Sequence, residues 1–179
     1  MIKNAKILIL GSGGREHAFA WSLVNDENVG KVYCCPGNGG TDGIAENIDL
    51  DITNHEDVIL FVKSNNIDLT IVGPEGPLAD GIVDSFQRVG LPIFGPNRYA
   101  SQLESSKLFA RDMMAAYKIP IPEYFSCKTR DEANLAKVKL ELPLVLKADG
   151  LAAGKGVIVC TTEEEYKAGL TVMFDENTF

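Results

Sequence analysis

Short apolar runs alternate with amphipathic segments through the first half of the chain. The runs consist mainly of Val, Ile and Leu, a pattern typical of parallel strands that helices cover on both faces. The predicted strands are Lys6 to Leu10, Lys31 to Cys35, Leu69 to Gly73 and Leu91 to Gly95. The predicted helices between them are Arg15 to Asn25, His55 to Ser64 and Leu78 to Val89. We therefore expect a four-strand, Rossmann-like α/β half.

The pattern changes after Gly95. Apolar residues recur near helical spacing from Leu103 to Tyr117, which predicts one long helix that ends before the prolines of Ile119 to Pro122. A small α+β lobe should follow, in which two antiparallel strands flank a glycine-rich loop. Its predicted segments are strand Tyr124 to Cys127, helix Asp131 to Leu140, strand Pro143 to Ala148, strand Val157 to Cys160 and a helix from about Glu163. The predicted divisions are residues 1–100 for the Rossmann-like domain, 101–122 for a connecting helix and 123–179 for the small lobe.

The loop between the last two strands, in LKADGLAAGKGVIV, differs from a P-loop. A P-loop has four residues between its two glycines, then Lys and Ser or Thr, and opens into a helix. Here only three residues separate Gly150 from Gly154, Gly156 occupies the hydroxyl position, and a β-branched run follows. This arrangement predicts a flap between two strands, in which backbone N–H groups and the Lys155 ammonium cover a phosphate.

Composition and charge exclude several classes of function. The chain has 179 residues, 45% of them hydrophobic, as expected for a globular protein, and a net charge of −8 that disfavours nucleic acids and anionic membranes. The four cysteines lack C-x-x-C spacing and should be reduced core residues, while the two histidines are too few for a metal site or a triad. The first apolar run is too short for a secretory signal, and no run reaches membrane-spanning length, so we expect a cytoplasmic protein.

The segment LGSGGREH, Leu10 to His17, follows the first predicted strand and opens the first predicted helix. A dinucleotide fingerprint needs glycines at its first, third and sixth positions, and an acidic residue about 20 positions on for the ribose hydroxyls. Gly11 and Gly13 fit, but the sixth position is Glu16, and no acidic residue ends the second strand. We expect a glycine turn that binds one phosphate through N–H groups and Arg15, with a tight turn without a ligand as the alternative.

Glu75 lies in VGPEGPLADG, at the carboxyl end of the third predicted strand. Open α/β sheets bind ligands at that edge, where a loop carboxylate can accept hydrogen bonds from sugar hydroxyls. A solvated loop glutamate is the alternative. Because Gly11 to Arg15 and Pro36 to Asn38 follow the first two strands, the three segments together predict a phosphosugar pocket.

Lysines near the glycine loop are candidates for binding a phosphate chain. Lys147 ends an apolar run, Leu144 to Leu146, that we expect to be buried, and a buried ammonium needs an anion. Lys147 and Lys155 bracket the loop, so both can address one polyphosphate. Lys107 lies on the predicted long helix, where an ordinary solvent-exposed lysine is the alternative.

Taken together, these segments resemble the amino-terminal part of glycinamide ribonucleotide synthetase, also called phosphoribosylamine–glycine ligase, of the ATP-grasp superfamily. The resemblance covers almost the whole chain, and the flap is its most specific element. The matching segments are GSGGREHA, PGN, IDLTIVGPEGPLADGIVD, IFGP, QLESSK and LVLKADGLAAGKGV. The implied fold is a Rossmann-like domain followed by a truncated ATP-grasp lobe. The implied reaction is phosphorylation of glycine by ATP, followed by attack of 5-phosphoribosylamine on the acyl phosphate to give glycinamide ribonucleotide, ADP and phosphate.

The resemblance also assigns roles to residues. The implied nucleotide-binding residues are Lys107, Lys147, Gly150, Gly154, Lys155 and Gly156. The implied phosphoribosylamine-binding residues are Gly11, Gly13, Gly14, Arg15, Asn38 and Glu75. No catalytic nucleophile is implied, because such a reaction depends on positioning and charge neutralisation. ATP with Mg²⁺ or Mn²⁺ is the implied cofactor set, glycine and phosphoribosylamine are the other small-molecule partners, and a monomer is expected.

Length is the main departure from the family. Its members are more than twice as long, and the resemblance places their metal ligands, adenine-binding hinge and most of the glycine site beyond Phe179. We therefore expect the polypeptide alone to be inactive as a ligase. The alternatives are another ATP-grasp carboxylate–amine ligase, a non-catalytic phosphosugar- or nucleotide-binding module and, more remotely, an oxidoreductase.

Overall fold

The computed structural model describes residues 3–151 and 155–175. The chain divides into two compact units, Met1–Ser101 and Gln102–Phe179. The strands of the first unit are β1 (Ala5–Gly11), β2 (Val29–Pro36), β3 (Glu46–Asn47), β4 (Leu69–Val72) and β5 (Ile93–Phe94). Its helices are α1 (Gly14–Val24), α2 (His55–Asn65), α3 (Glu75–Asp80) and α4 (Ile82–Arg88), and the boundary between the units falls within α5 (Arg98–Ser105).

The five strands of the first unit form one sheet in the order β3-β2-β1-β4-β5, and every pairing is parallel. The predicted class, a Rossmann-like parallel sheet, is therefore confirmed. The prediction of four strands missed β3. This two-residue strand pairs with β2 through Tyr33 and Cys34 and is too short to produce an apolar run of its own.

Helices cover both faces of this sheet, as the uninterrupted apolar strands predict. Successive residues of β1 point to opposite faces, so Leu8 and Leu10 join one core while Ile7 and Ile9 join the other. The first core includes residues of α2 and α4, and Phe86 is its largest fully buried side chain. The second core includes residues of α1. The two cores fix the strand positions and so the loops that follow them.

The segment predicted as one helix from Leu78 to Val89 consists of two helices. α3 begins earlier, at Glu75, and its last residue is Asp80. The next residue, Gly81, caps the helix and has a left-handed φ of +94°. Glycine adopts that conformation at little cost, and it ends α3 at the residue that starts α4. The continuous apolar periodicity of the sequence did not reveal this break.

After the end of α5, the described part of the second unit contains a two-stranded antiparallel sheet and three helices. They are α6 (Lys107–Ala116), α7 (Arg130–Leu140), β6 (Leu144–Lys147), β7 (Val157–Cys160) and α8 (Glu163–Phe174). The antiparallel pairing of β6 with β7 and the helix from Glu163 agree with the predictions. A core of Ala133, Leu144, Cys160, Tyr166 and Leu170 joins one face of the sheet to α7 and α8. α8 approaches β6 so closely that a Cβ at Gly169 would lie 2.8 Å from Leu146 Cδ1.

Two predictions for the second half are wrong. The expected long helix is interrupted at Ser106, whose extended backbone ends α5 and whose hydroxyl accepts a hydrogen bond from Phe109 N (3.1 Å) as the N-cap of α6. The strand expected from Tyr124 to Cys127 does not form. These residues pair with no strand, and the sheet that the structure describes in this unit consists of β6 and β7. Within residues 3–151 and 155–175, none of the helices combines the length and apolar character needed to cross a membrane.

Candidate functional site

Three loops meet at the carboxyl edge of the first sheet, as predicted. Gly11 at the end of β1 pairs with Pro36 at the end of β2, and Leu10 pairs with Val72 of β4. Gly37 N donates a hydrogen bond to Gly11 O at 3.2 Å, which holds the first two loops together. The candidate segments after these three strands are therefore neighbours. The predicted role of their residues in binding phosphoribosylamine stays a prediction.

Glu16 fills the space between the first and third loops. Its side chain is buried, with 4% exposure, and its Oε2 accepts a hydrogen bond from Gly13 N at 2.6 Å. A Cβ at Gly11 would lie 2.7 Å from Glu16 Cδ, and one at Gly73 would lie 2.5 Å from the same atom. Glycine is therefore required on both sides of this carboxylate.

Sequence reasoning treated Glu16 only as a departure from the dinucleotide fingerprint. In the structure it caps α1 from the third position of the helix, so the Gly13 N–H is bonded inside the protein. The buried carboxylate also adds a negative charge beneath the turn. Donors for a phosphate at this turn would then come from Gly14, which has open space around its α-carbon, and from Arg15. A glutamate three residues after Gly13 is the capping-box signal that could have identified this role.

Arg15 joins the first loop to the third. Its side chain is exposed, and its guanidinium Nη1 donates a hydrogen bond to Gly73 O. A guanidinium carries five N–H donors, so this one bond leaves it suited to a further anion. Arg15 therefore lies at the carboxyl edge of the sheet, where the sequence predicts that a phosphate binds.

Asn38 connects the loops after β1 and β2 through all four hydrogen-bonding positions of its amide. Nδ2 donates to Ser12 O at 2.9 Å and Gly13 O at 3.1 Å. Oδ1 accepts from Gly40 N at 2.7 Å and Thr41 N at 3.1 Å. An amide has two donor hydrogens and two acceptor lone pairs, so these bonds use its whole capacity.

Glu75 is the first residue of α3, and its side chain is exposed at the carboxyl edge of the sheet. A polar cluster of His55, Ser85 and Arg88 lies near the other end of this short helix. His55 Nε2 lies 3.3 Å from Asp80 Oδ2, and His55 Nδ1 lies 2.9 Å from Ser85 Oγ. Arg88 Nη2 donates to the same Ser85 hydroxyl at 2.9 Å. His55 of α2 thus bonds to Ser85 of α4 and lies near Asp80 at the end of the helix that carries Glu75, although its Nε2 makes no hydrogen bond with the described residues.

A groove of about 650 Å³ lies along the β2–β3 edge of this sheet and is lined in part by residues 42–45, the later part of the segment after β2. Three charged residues line it, Lys31, Asp42 and Glu46, and the Lys31 ammonium is paired with the Glu46 carboxylate at 2.5 Å. Two lining residues also bond to a predicted site residue: Asn47 Nδ2 donates to Asn38 O at 3.0 Å, and Asp42 N donates to the same oxygen at 3.1 Å. The predicted site residues lie outside this groove.

In the second unit, Lys107 lies beside the start of the glycine loop. Its Nζ donates to Gly150 O at 2.9 Å, and its backbone N donates to Asp149 Oδ1 at 2.6 Å. Gly150 has a φ of +93°, a left-handed conformation that favours glycine. The loop is closed at its base by Ala148 N, which donates to Gly156 O at 2.8 Å. Lys107, Gly150 and Gly156 are therefore brought to one end of the β6–β7 pair, whereas Gly154 lies outside the described residues.

The expectation that Lys147 is buried is wrong. Leu144 points into the core of the second unit, and Leu146 packs against that core, whereas Val145 and Lys147 lie on the opposite, exposed face of β6. The apolar run is thus buried on one side, as the alternation of a strand requires. Lys147 pairs across the strands with Val157, and Lys155 is also exposed beside this end of the sheet. The exposed positions of Lys147 and Lys155 do not test whether these residues bind nucleotide phosphates, so that role stays a prediction.

Metal-binding groups of three or more His, Cys, Asp or Glu side chains are absent from residues 3–151 and 155–175. All four cysteines are free, and burial raises the pKa of the Cys34 thiol to about 11, in spite of a hydrogen bond with Thr41 that lowers it. The described part of the chain therefore supplies amides, hydroxyls, carboxylates and ammonium or guanidinium groups as candidate ligand contacts.

Comparison with known families accounts for both units. The protein-family model for the phosphoribosylglycinamide synthetase N domain matches residues 5–104, and the model for the ATP-grasp (A) domain of the same enzyme matches residues 105–179. The chain belongs to the phosphoribosylglycinamide synthetase family. The family predicted from the sequence, and the prediction of an ATP-grasp portion after the parallel sheet, are confirmed.

Relatives in this family and solved structures support the same conclusion. The phosphoribosylamine–glycine ligase of Clostridium acetobutylicum is 50% identical over 164 residues, which cover 90% of this chain and 38% of that protein. The crystal structure of phosphoribosylamine–glycine ligase from Thermotoga maritima matches with a TM-score of 0.76 and 29% identity, over 96% of this chain and 40% of the other. An ADP complex of N5-carboxyaminoimidazole ribonucleotide synthetase has the same fold, with a TM-score of 0.78 at 15% identity over 97% and 45% of the two chains. The chain thus spans well under half the length of this curated relative.

Proposed function

We propose that this chain takes part in the ATP-dependent ligation of glycine to 5-phosphoribosylamine. The main support is that the N domain and the ATP-grasp domain of one ligase family match consecutive parts of the chain. The products would be glycinamide ribonucleotide, ADP and phosphate. The first unit would bind the sugar phosphate, and the second would bind the nucleotide.

In the first unit, direct contacts with phosphoribosylamine would come from Gly14, Arg15 and Glu75. The Arg15 guanidinium and the Gly14 N–H are suited to a phosphate, and the exposed Glu75 carboxylate can accept hydrogen bonds from ribose hydroxyls. Gly11, Gly13 and Asn38 would shape the pocket instead. We assign them this supporting role because the Gly13 N–H and the Asn38 amide already have partners within the protein.

In the second unit, Lys107, Lys147 and Lys155 would neutralise the phosphate chain of ATP. Lys147 and Lys155 are exposed, and Lys107 is held beside Gly150 at the same end of the β6–β7 pair. Ammonium groups form strong, charge-assisted hydrogen bonds with phosphate oxygens. The backbone of Gly156, and that of Gly154 outside the described residues, would contribute N–H donors, whereas the Gly150 N–H already donates to Asp149 and would have a supporting role.

The chemistry requires no enzyme nucleophile. The glycine carboxylate attacks the terminal phosphorus of ATP and releases ADP, and the amine of phosphoribosylamine then displaces phosphate from the acyl phosphate as the amide bond forms. Lysine charges would stabilise the phosphoryl oxygens in the first step. The family implies Mg²⁺ or Mn²⁺, and the described residues contain no group of three or more His, Cys, Asp or Glu side chains that could hold such an ion.

We expect Arg15→Ala and Glu75→Ala each to weaken binding of ribose 5-phosphate by about ten-fold, because each removes hydrogen bonds in which one partner is charged. Isothermal titration calorimetry on the whole chain measures this. The matched controls are Lys3→Ala and Glu27→Ala, which remove one charge of each sign near the amino edge of the sheet and should leave the affinity unchanged. Equal affinity of the wild type and both site variants for ribose 5-phosphate would contradict the assignment of Arg15 and Glu75 to the sugar-phosphate site.

The 179 residues are not expected to complete the reaction alone, since the ligase of Clostridium acetobutylicum has more than twice their length. A coupled assay for glycine-dependent ADP release from the purified chain tests this. The full-length relative, assayed in parallel, is the positive control. Turnover by the shorter chain at a comparable rate would show that these 179 residues are sufficient for the ligase reaction.

A further inference from the structure

Asp149 holds the end of the β6 segment against the start of α6. Its Oδ1 accepts hydrogen bonds from Lys107 N at 2.6 Å and Leu108 N at 3.2 Å, and its Oδ2 accepts one from Ser106 Oγ at 3.1 Å. Ser106 Oγ in turn accepts from Phe109 N at 3.1 Å. A carboxylate and a hydroxyl together satisfy the first N–H groups of this helix.

The same contacts fix Lys107 at both ends. Its backbone N is bonded to Asp149, and its Nζ is bonded to the carbonyl of the next residue, Gly150. The position of the ammonium therefore depends on two consecutive residues at the start of the glycine loop. Lys107 is therefore a cation whose placement depends directly on Asp149.

We propose that Asp149 is a positioning residue for nucleotide binding, which holds the Lys107 ammonium and the start of the glycine loop in one arrangement. This inference rests on the proposed nucleotide site in the second unit. Asp149 would not contact the phosphates, whose negative charge it would repel. It would act through Lys107.

An ionised carboxylate suits this role better than an amide. Asp149 receives donors on both oxygens and has no hydrogen to donate, whereas one side of an asparagine would present an N–H₂ group to the same donors. Burial raises the pKa of Asp149, but hydrogen bonds from the Leu108, Lys107 and Gly150 backbone and from the Ser106 hydroxyl outweigh this effect and lower the pKa from its ordinary value of 3.8. Because the folded pKa is lowered, the stabilisation is present above pH 3.8 and is lost as the pH falls through the folded pKa.

The first test follows the contact itself. In an amide NMR titration of the whole chain, the Lys107 and Leu108 signals should shift together as the pH falls below 3.8, as Asp149 takes up its proton. In Asp149→Asn this shared step should be absent. Signals that do not titrate in the wild type, or that titrate unchanged in the variant, would contradict the proposed contact.

The second test measures ATP binding by the whole chain in a double-mutant cycle of Asp149→Asn with Lys107→Ala. If Asp149 acts through Lys107, each single variant should bind ATP about ten-fold more weakly, and the double variant should be little weaker than either. If the loss of ATP affinity in the double variant equals the product of the two single losses, the two residues act independently and the inference is wrong. Asp131→Asn removes the same charge from the first turn of α7 and should leave ATP binding unchanged.

The outcomes also separate this inference from the proposed function. ATP binding by the wild type with equal affinity in Asp149→Asn overturns the inference alone. Absence of ATP binding by the wild type overturns the nucleotide site and the inference together. If Asp149→Asn does not fold, Ser106→Ala removes one donor to the same carboxylate and should weaken ATP binding two- to five-fold, by about the effect of one hydrogen bond. Unchanged binding in that folded variant would also contradict the inference.

Discussion

Gly73→Ala is expected to lower the free energy of unfolding by about 3 kcal/mol, because the added methyl group has no space to enter. A Cβ at this position would lie 2.5 Å from Glu16 Cδ and 2.7 Å from Glu16 Cγ, and closer still to a carboxylate oxygen. Glu16 cannot move away easily, since it is buried and bonded to Gly13 N. Urea denaturation followed by circular dichroism measures the loss, and hydrogen exchange in β1 and β4 assigns it to the first unit.

Gly76→Ala is the matched control, three residues further along. Gly76 lies within α3, and a Cβ there would meet no atom within 4 Å. Alanine favours a helix over glycine, whereas Pro77 disfavours helical backbone at the residue before it, so this variant should change the free energy of unfolding by less than about 1 kcal/mol. The double variant Gly73→Ala/Glu16→Ala should lose less than the two single variants added together, because the second change removes the overlapping atoms. A purely additive result would mean that Glu16 is not the obstacle.

The arrangement around Glu16 disfavours a dinucleotide at the glycines of the first loop. In the fingerprint, the third glycine allows close helix–strand packing and the turn receives a pyrophosphate. In this protein a buried carboxylate occupies that region and uses the Gly13 N–H. A single phosphate beside Arg15 and Gly14 remains compatible with this geometry, which favours a sugar phosphate over a dinucleotide.

The sequence was sufficient to predict the parallel sheet and the positions of the loops after its strands. The apolar runs of β1, β2 and β4 are strong signals because each is buried on both faces. Since parallel strands place their carboxyl ends at one edge, the proximity of Gly11, Asn38 and Glu75 followed from the order of the elements. Their identity as ligand contacts did not follow, and Asn38 shows why. The amide that the sequence offers to a substrate is fully bonded to its own backbone neighbours.

Local apolar patterns failed where a long-range contact decides the structure. The break between α5 and α6 depends on Ser106 and on Asp149, which lies 43 residues further along the chain. The burial of Lys147 was inferred from its neighbours, but the described residues cover one face of β6 and leave the other exposed. A run of apolar residues does not distinguish one buried face from two. Such contacts are set by the packing of elements, which single-sequence periodicity does not report.

Asn38→Asp is expected to destabilise the first unit by about 2 to 3 kcal/mol, although the two side chains have the same shape. The aspartate keeps acceptors for Gly40 N and Thr41 N, but it turns an oxygen toward the carbonyl oxygens of Ser12 and Gly13 in place of two N–H donors. Two hydrogen bonds are lost and a carboxylate is left facing acceptors, which costs more than the loss of the bonds alone. Urea denaturation followed by circular dichroism measures the change.

The same variant distinguishes a supporting role for Asn38 from direct contact with a ligand. If Asn38 holds the first two loops together, Asn38→Asp should weaken ribose 5-phosphate binding and, in parallel, increase hydrogen exchange at Gly13 and Gly37, neither of which is substituted. Asn97→Asp is the control, because Asn97 Oδ1 accepts from Ala100 N at 2.9 Å and an aspartate can accept the same bond. Loss of binding with unchanged stability and exchange in Asn38→Asp would instead indicate that its amide contacts the ligand directly.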